Sequence, residues 1–164
     1  MRDELANRLE TNLQQQLILY KELRETAEKK QQALVANNIK ELDAIVAREE
    51  VLIMQAAKLE KVRTAMAGEI ARELHIPVEE VTLSRLTGEM PQLLPLQNEM
   101  EETIRNIQEK HALNTELLNQ AMRIVEFSLN LFTRSDEKTY SRDLQKAEKE
   151  TPGVKRSFVI DRSV

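Results

Sequence analysis

The two histidines are the residues most able to support metal or acid–base chemistry, since imidazole binds metals and titrates near neutral pH. A di-metal centre in a helical bundle requires a glutamate three residues before each histidine on facing helices. Arg72 and Gln108 occupy those positions before His75 and His111, so the motif is absent. We expect His111 to be a hydrogen-bonded residue at a helix seam and His75 to lie in a connector.

Cysteine and glycine usage removes several further kinds of site. The chain of 164 residues has no cysteine, which leaves no disulfide, thiolate metal site or thiol nucleophile. Its three glycines are too few for a phosphate-binding loop, a dinucleotide fingerprint or a nucleophile elbow. The sequence therefore predicts a protein that is not an enzyme, with no catalytic residue, no metal and no cofactor.

Charge and hydropathy argue against two classes of partner. Residues 133–164 carry 8 basic and 6 acidic side chains, whereas the residues before them carry 16 basic and 22 acidic ones. An acidic body disfavours nucleic acid as a partner, because binding to the phosphate backbone needs a net basic face. No run of about 18 apolar residues is present to span a membrane, and the first residues lack the apolar run of a secretory signal. We expect a cytoplasmic protein without membrane insertion.

The elements that position any functional residue are long helices. Charged residues make up 32% of the chain and aromatic residues 3%, a composition typical of long helices and coiled coils. Apolar residues recur at steps of three and four in three segments. The predicted helices are about 3–36, 39–74 and 95–132, with a connector at 75–94. Helices this long need partner helices. We therefore predict an all-α, antiparallel, three-helix coiled-coil-like bundle over 1–132 and a mobile tail over 133–164.

Local signals mark the ends of these helices. Asparagine tolerates the left-handed conformation that ends one helix and also caps the next, so Asn37 and Asn38 predict a tight helical hairpin. Glu41 stands three residues after Asn38, as in a capping box. In the connector, Thr82 is expected to cap one short turn that docks Leu83 and Leu86 on the bundle.

The third helical segment carries more apolar residues than one neighbour can cover. Its seam runs through Leu96, Met100, Ile104, Ile107, His111, Asn114, Leu118, Ala121, Val125, Ser128 and Phe132. A second apolar line lies beside it at Leu113, Leu117, Ile124, Phe127 and Leu131. The polar seam residues Asn114 and Ser128 are interpreted either as satisfied core residues or as residues that fix the helix register. The second line predicts a surface that binds another protein.

Several motifs occur in a characteristic order along nearly the whole chain. They are the polar turn at 36–42, Leu-Glu-x-x-Arg at 59–63, Thr-Leu-Ser-x-Leu at 82–86, Asn-x-x-Leu-Leu at 114–118, a tail tyrosine at Tyr140 and Ile-Asp-Arg at 160–162. In this order they resemble the flagellar type III export chaperones of the FlgN family.

The resemblance implies a cytosolic chaperone that holds late hook-associated subunits before export. It would deliver them to the cytosolic domain of the export gate without using ATP itself. In that family the C-terminal part of the last long helix and the tail contact the client. The residues thereby assigned to client binding, by helix-in-groove packing, are Leu113, Leu117, Leu118, Ile124, Phe127 and Leu131. Tyr140 is assigned to docking at the export gate.

Two other classes of function stay open at this point. The apolar surface could be the self-association seam of a structural coiled-coil protein that forms a homodimer and has no client. A nucleic-acid binder would show salt-sensitive binding, which the acidic body disfavours.

Overall fold

The protein is all-α, as predicted. A computed structural model describes residues 2–147, and it describes the side chains of residues 3–134. The helices are α1 (Arg2–Val35), α2 (Ile39–Leu74), α3 (Leu83–Glu89) and α4 (Leu94–Ala147), with 3-10 turns at Val78–Glu80 and Pro91–Leu93. None of the described helices is both long and apolar enough to cross a membrane.

The turn between α1 and α2 is built by the two asparagines. Asn37 has a φ of 53°, the left-handed conformation that ends α1. The Asn38 side chain accepts a hydrogen bond from the Glu41 backbone N–H (3.2 Å) and donates one to the Glu41 carboxylate (2.9 Å). These two bonds satisfy groups at the start of α2 that have no partner within the helix. The predicted hairpin and its cap are confirmed.

The two long helices of the hairpin run antiparallel. Arg8 pairs with Glu69 (3.2 Å), and Glu22, further along α1, pairs with Arg48, which is earlier in α2 (2.6 Å). These exposed pairs contribute little free energy. The hairpin is stabilised instead by buried side chains such as Leu52, because burying one such side chain contributes about 1.5–3 kcal/mol.

The connector is ordered helical structure and closes the main core. The Thr82 hydroxyl accepts a hydrogen bond from the Arg85 N–H (3.2 Å), which caps α3 as predicted. Leu86 is buried and Leu83 is partly buried against the same cluster. The buried residues of this core are Leu5, Ala6, Leu9, Leu13, Leu17, Ile70, Leu86, Met90, Leu93 and Met100. The core therefore joins α1, the end of α2, the connector and the start of α4.

The first part of α4 lies beside α1 and runs parallel to it. Lys21 pairs with Glu99 (2.5 Å), and Lys110 donates a hydrogen bond to Gln31 (2.9 Å), so residue numbers rise together along the two helices. Since α2 is antiparallel to α1, it is also antiparallel to this part of α4. The order is that of an up-down-up three-helix bundle.

The rotation of α4 about its axis differs from the predicted seam. His111 was expected at the seam, but its side chain is exposed, and so are Ile104 and Leu118. The α4 side chains turned toward the bundle are Gln97, Met100, Thr103, Ile107, Lys110 and Asn114, of which Met100, Ile107 and Asn114 belong to the predicted seam. Hydrogen bonds from Lys110 and Asn114 connect α4 to α1, so the bundle side passes through the predicted Asn114 but through Lys110 in place of His111.

The helix α4 is longer than predicted. It continues past the expected end at 132 to Ala147, because no proline or glycine interrupts the sequence between Pro95 and Pro152. Residues 133–147 are therefore helix rather than part of an irregular tail. Residues 148–164 lie outside the described residues, and their predicted mobility stays a prediction.

Contacts divide the chain into two compact units, Met1–Asn119 and Gln120–Val164. The first unit holds the three-helix bundle, which was predicted to extend to 132. In the second unit, no side chain that the structure describes, from Gln120 to Arg134, is classed as buried. The large apolar side chains in this stretch, from Met122 to Phe132, are exposed.

Candidate protein-binding surface

The residues considered for metal chemistry do not come together. His75 ends α2 as its C-cap, with a φ of 54°, and His111 is exposed on α4. Among the residues that the structure describes, no three histidine, aspartate or glutamate side chains are grouped so that they could hold a metal ion.

The Leu-Glu-x-x-Arg motif lies at a polar network between α1 and α2. The Asn12 side-chain amide donates to the Leu59 carbonyl oxygen (3.2 Å), and Gln16 donates to the Asn12 side-chain oxygen (2.8 Å). The Tyr20 hydroxyl completes the chain of bonds by donating to Gln16 (3.3 Å). Asn12 and Gln16 are buried, so this network fixes the pairing of the two helices at a position where apolar packing alone would allow sliding.

An ion pair between Arg63 and Glu60 at the edge of this network affects the pKa values of nearby groups. Two guanidinium nitrogens of Arg63 contact the two carboxylate oxygens of Glu60, at 2.9 and 2.5 Å. The hydrogen bond from Arg63 holds the pKa of Glu60 below its usual value, although partial burial opposes the shift. Burial, followed by the negative charge of Glu60, raises the pKa of Tyr20. Glu60 is therefore ionised and Tyr20 is neutral at physiological pH.

The six residues predicted to contact a partner all lie on α4, and five of them are exposed. Leu117 is half-buried, and the exposed five are Leu113, Leu118, Ile124, Phe127 and Leu131. Half of the set belongs to the first unit and half to the second, which begins at Gln120. Their exposure leaves them available to a partner, and their role in binding stays a prediction.

In the first unit, α4 is held to α1 by a buried polar residue. The Asn114 side-chain amide donates to the Ala27 carbonyl oxygen (2.9 Å), and Asn114 is only 4% exposed. Its side-chain oxygen is buried without a hydrogen-bond partner, so the residue is half satisfied. Asn114 makes the contact with α1, which leaves neighbouring Leu113 and Leu118 on the outside of the helix.

In the second unit, one stretch of α4 is apolar around more than half of its circumference. We define the open α4 surface as Met122, Ile124, Val125, Phe127, Leu129, Leu131 and Phe132, each of which is between 53% and 71% exposed. At about 100° per residue, Met122 and Leu131 lie on opposite sides of the helix. Arg123, Glu126 and Asn130 occupy the remaining polar side. A contiguous exposed apolar patch of this kind is a candidate interaction surface.

Four members of the open α4 surface were not among the predicted contact residues. Val125 and Phe132 were placed in the bundle seam, Met122 and Leu129 in neither apolar line. The sequence signal for this surface was the absence of proline and glycine after Pro95. It allows α4 to continue beyond the first unit.

Comparison with known proteins shows which family the chain belongs to. A family model described as FlgN protein matches residues 1–148, a range that includes all four helices. No curated protein and no solved structure matches the chain. The FlgN family is a chaperone family that is not known for enzymatic activity. The resemblance carried by the ordered motifs is thereby confirmed, and the chain belongs to the FlgN family of flagellar export chaperones.

Proposed function

We propose that this chain is a cytoplasmic chaperone that binds late hook-associated flagellar subunits. It prevents their premature association and delivers them to the export gate. The observation that carries this proposal is the open α4 surface, an exposed apolar stretch of helix in a member of an export chaperone family.

The chemistry of the clients fits such a surface. Hook-associated subunits form coiled coils through their terminal segments only in the assembled filament, so those segments are disordered and prone to self-association before export. An amphipathic client segment that folds on α4 would bury both apolar faces at once. An interface of about 1,600 Å² is sufficient for micromolar or tighter binding.

Client binding is assigned to the six predicted residues on α4. Phe127 and Leu131 are the best test positions, because both side chains are exposed and lie in the second unit, where no described side chain is buried. Changing both to glutamine removes apolar contact while keeping helix propensity. Isothermal titration with a purified hook-associated protein should give at least about tenfold weaker binding for the double variant.

The matched control for this experiment is Ile18→Gln. Ile18 is exposed on α1 to a similar degree, at 58%. It should leave client affinity unchanged. If the double variant bound as tightly as the unaltered protein, client contact would have to lie elsewhere.

Docking at the export gate is assigned to Tyr140. This residue lies in α4, and its side chain is outside the described ones. It follows Phe132 by about 12 Å along the helix axis, which leaves room for simultaneous contact with a client and the gate. Tyr140→Ala should weaken binding to the cytosolic domain of the gate and leave client affinity unchanged. Loss of both activities would indicate a general defect in α4.

A self-associating coiled-coil protein without a client is the second candidate. The same open α4 surface favours it, since an apolar helix face is also suited to pairing with a second copy. A stable homodimer that binds none of the hook-associated proteins would support this candidate over the chaperone.

A further inference from the structure

The open α4 surface is wider than one neighbouring helix can cover. A helix that packs on a single side presents an apolar stripe of about 100°. On the second unit the apolar arc from Met122 through Leu131 to Phe127 spans about 220°. A helix with this pattern is suited to a position between two neighbours.

The arc has a distinct middle and two flanks. Ala121 and Ser128, which are half-buried, lie along its middle together with Phe132. One flank, which we call the first flank, consists of Met122, Val125 and Leu129, and the second flank consists of Ile124, Phe127 and Leu131. At Ala121 and Ser128 the middle is small and the flanks are larger, which allows two helices to approach α4 together there, as in a three-helix bundle, while Phe132 lies at the C-terminal end of the middle line.

The middle line continues an interface that already exists on α4. Ala121 and Ser128 follow Asn114 at seven-residue spacing, and Asn114 is the residue through which α4 contacts α1 in the first unit. A seven-residue repeat keeps one face of a helix directed at its partners. The same face is thus repeated in the second unit, where Ala121 and Ser128 are only half-buried.

A second copy of this chain does not match the width of the arc. A two-fold dimer gives each α4 one neighbouring α4, which covers one flank and leaves the other exposed. The two flanks require two helical segments, and a single client chain can supply both.

We infer that the client supplies two amphipathic helical segments, one packed on each flank of α4, so that the complex contains a three-helix unit formed by α4 and the client. This inference rests on the proposed chaperone function. It specifies the kind of partner, which is a chain with two apolar helical segments rather than one.

Photo-crosslinking tests this arrangement directly. A benzophenone-bearing phenylalanine analogue is placed at position 122 or 131, on opposite flanks, and at position 18 of α1 as the control. Each protein is irradiated with the full-length hook-associated protein with which it forms a 1:1 complex by light scattering. Mass spectrometry should identify one client segment from position 122, a different segment from position 131, and none from position 18.

Paired substitutions give a second readout. Met122→Gln with Leu129→Gln alters the first flank, and Ile124→Gln with Leu131→Gln alters the second. Each pair should weaken client binding about tenfold while the helix content stays unchanged.

Several results would overturn the inference and are distinguishable from failure of the function. A single client helix is indicated if a 1:1 complex forms and positions 122 and 131 crosslink to the same client segment. Normal client binding by one of the paired variants leads to the same conclusion. Crosslinks between two copies of the chain indicate self-association. The absence of any complex by light scattering would refute the proposed function itself.

Discussion

Gln16 is the residue whose removal tests the α1–α2 network most sharply. Its side chain is 1% exposed, donates to Asn12 and accepts from Tyr20. Gln16→Ala removes both of these hydrogen bonds, which contribute about 1 kcal/mol each, and also the smaller contact of Gln16 with the Glu60 carboxylate. It also leaves a small cavity that costs about another 1 kcal/mol. The free energy of unfolding should therefore fall by about 3 kcal/mol.

Urea denaturation followed by circular dichroism measures this change. The matched control is Gln15→Ala, since Gln15 precedes Gln16 on the same helix but is exposed. The control should change the unfolding free energy by less than about 0.5 kcal/mol. In a double-mutant cycle with Tyr20→Phe, the two changes should be non-additive, because they remove the same hydrogen bond. A loss below about 1 kcal/mol for Gln16→Ala would refute the view that this network stabilises the hairpin.

Three further predictions concern local features of the first unit. His75→Gly should stabilise the protein by about 0.5–1 kcal/mol, because glycine adopts the positive φ of this C-cap without strain. Thermal unfolding measures this gain, and the control His75→Ala should not show it. Asn38→Ala should destabilise by about 1 kcal/mol through loss of the α2 cap, whereas Lys40→Ala, on the exposed first turn, should have little effect. Glu60→Gln should be less stable than the unaltered protein at neutral pH, and urea titrations should find this difference shrinking with acidification.

The direction of the Glu60 prediction follows from its pKa. The hydrogen bond from Arg63 lowers the pKa of Glu60 in the folded protein, so the folded state favours the carboxylate more than the unfolded state does. This stabilisation is present above the usual glutamate pKa, about 4.3, and is lost as the pH falls through the lowered value. A stability difference that stays constant from pH 7 to about 3 would contradict the assignment.

Helix ends were predictable from the sequence because their signals are local. The capping box of Asn38 and Glu41 acts within four residues, and Thr82 caps α3 by a contact with Arg85. Such patterns depend on the backbone of a single turn and not on which helices become neighbours.

The rotation of α4 was not predictable from periodicity alone. Met100, Ile107 and Asn114 face the bundle as predicted, and two stripes can join them. One stripe contains Ile104 and His111, and the other, one residue earlier, contains Thr103 and Lys110. Apolar content favoured the first stripe. The hydrogen bond from Lys110 to Gln31 of α1 accompanies the second, and it depends on a partner helix that lies far away in the sequence.

The extent of the apolar surface was underestimated for a related reason. Val125 and Phe132 continue a regular seam, and a seam suggests a partner helix in the same chain. In the second unit none of the described side chains is buried. The regular apolar spacing there therefore does not indicate a buried seam.

Size-exclusion chromatography with light scattering tests the central claim most directly. The full chain would be run alone and mixed in turn with each hook-associated protein of the same organism. The proposed function predicts a new 1:1 peak with at least one of them, and loss of that peak when Phe127 and Leu131 are changed to glutamine. An unchanged, self-associated peak in every mixture would contradict client binding and favour the self-associating coiled coil.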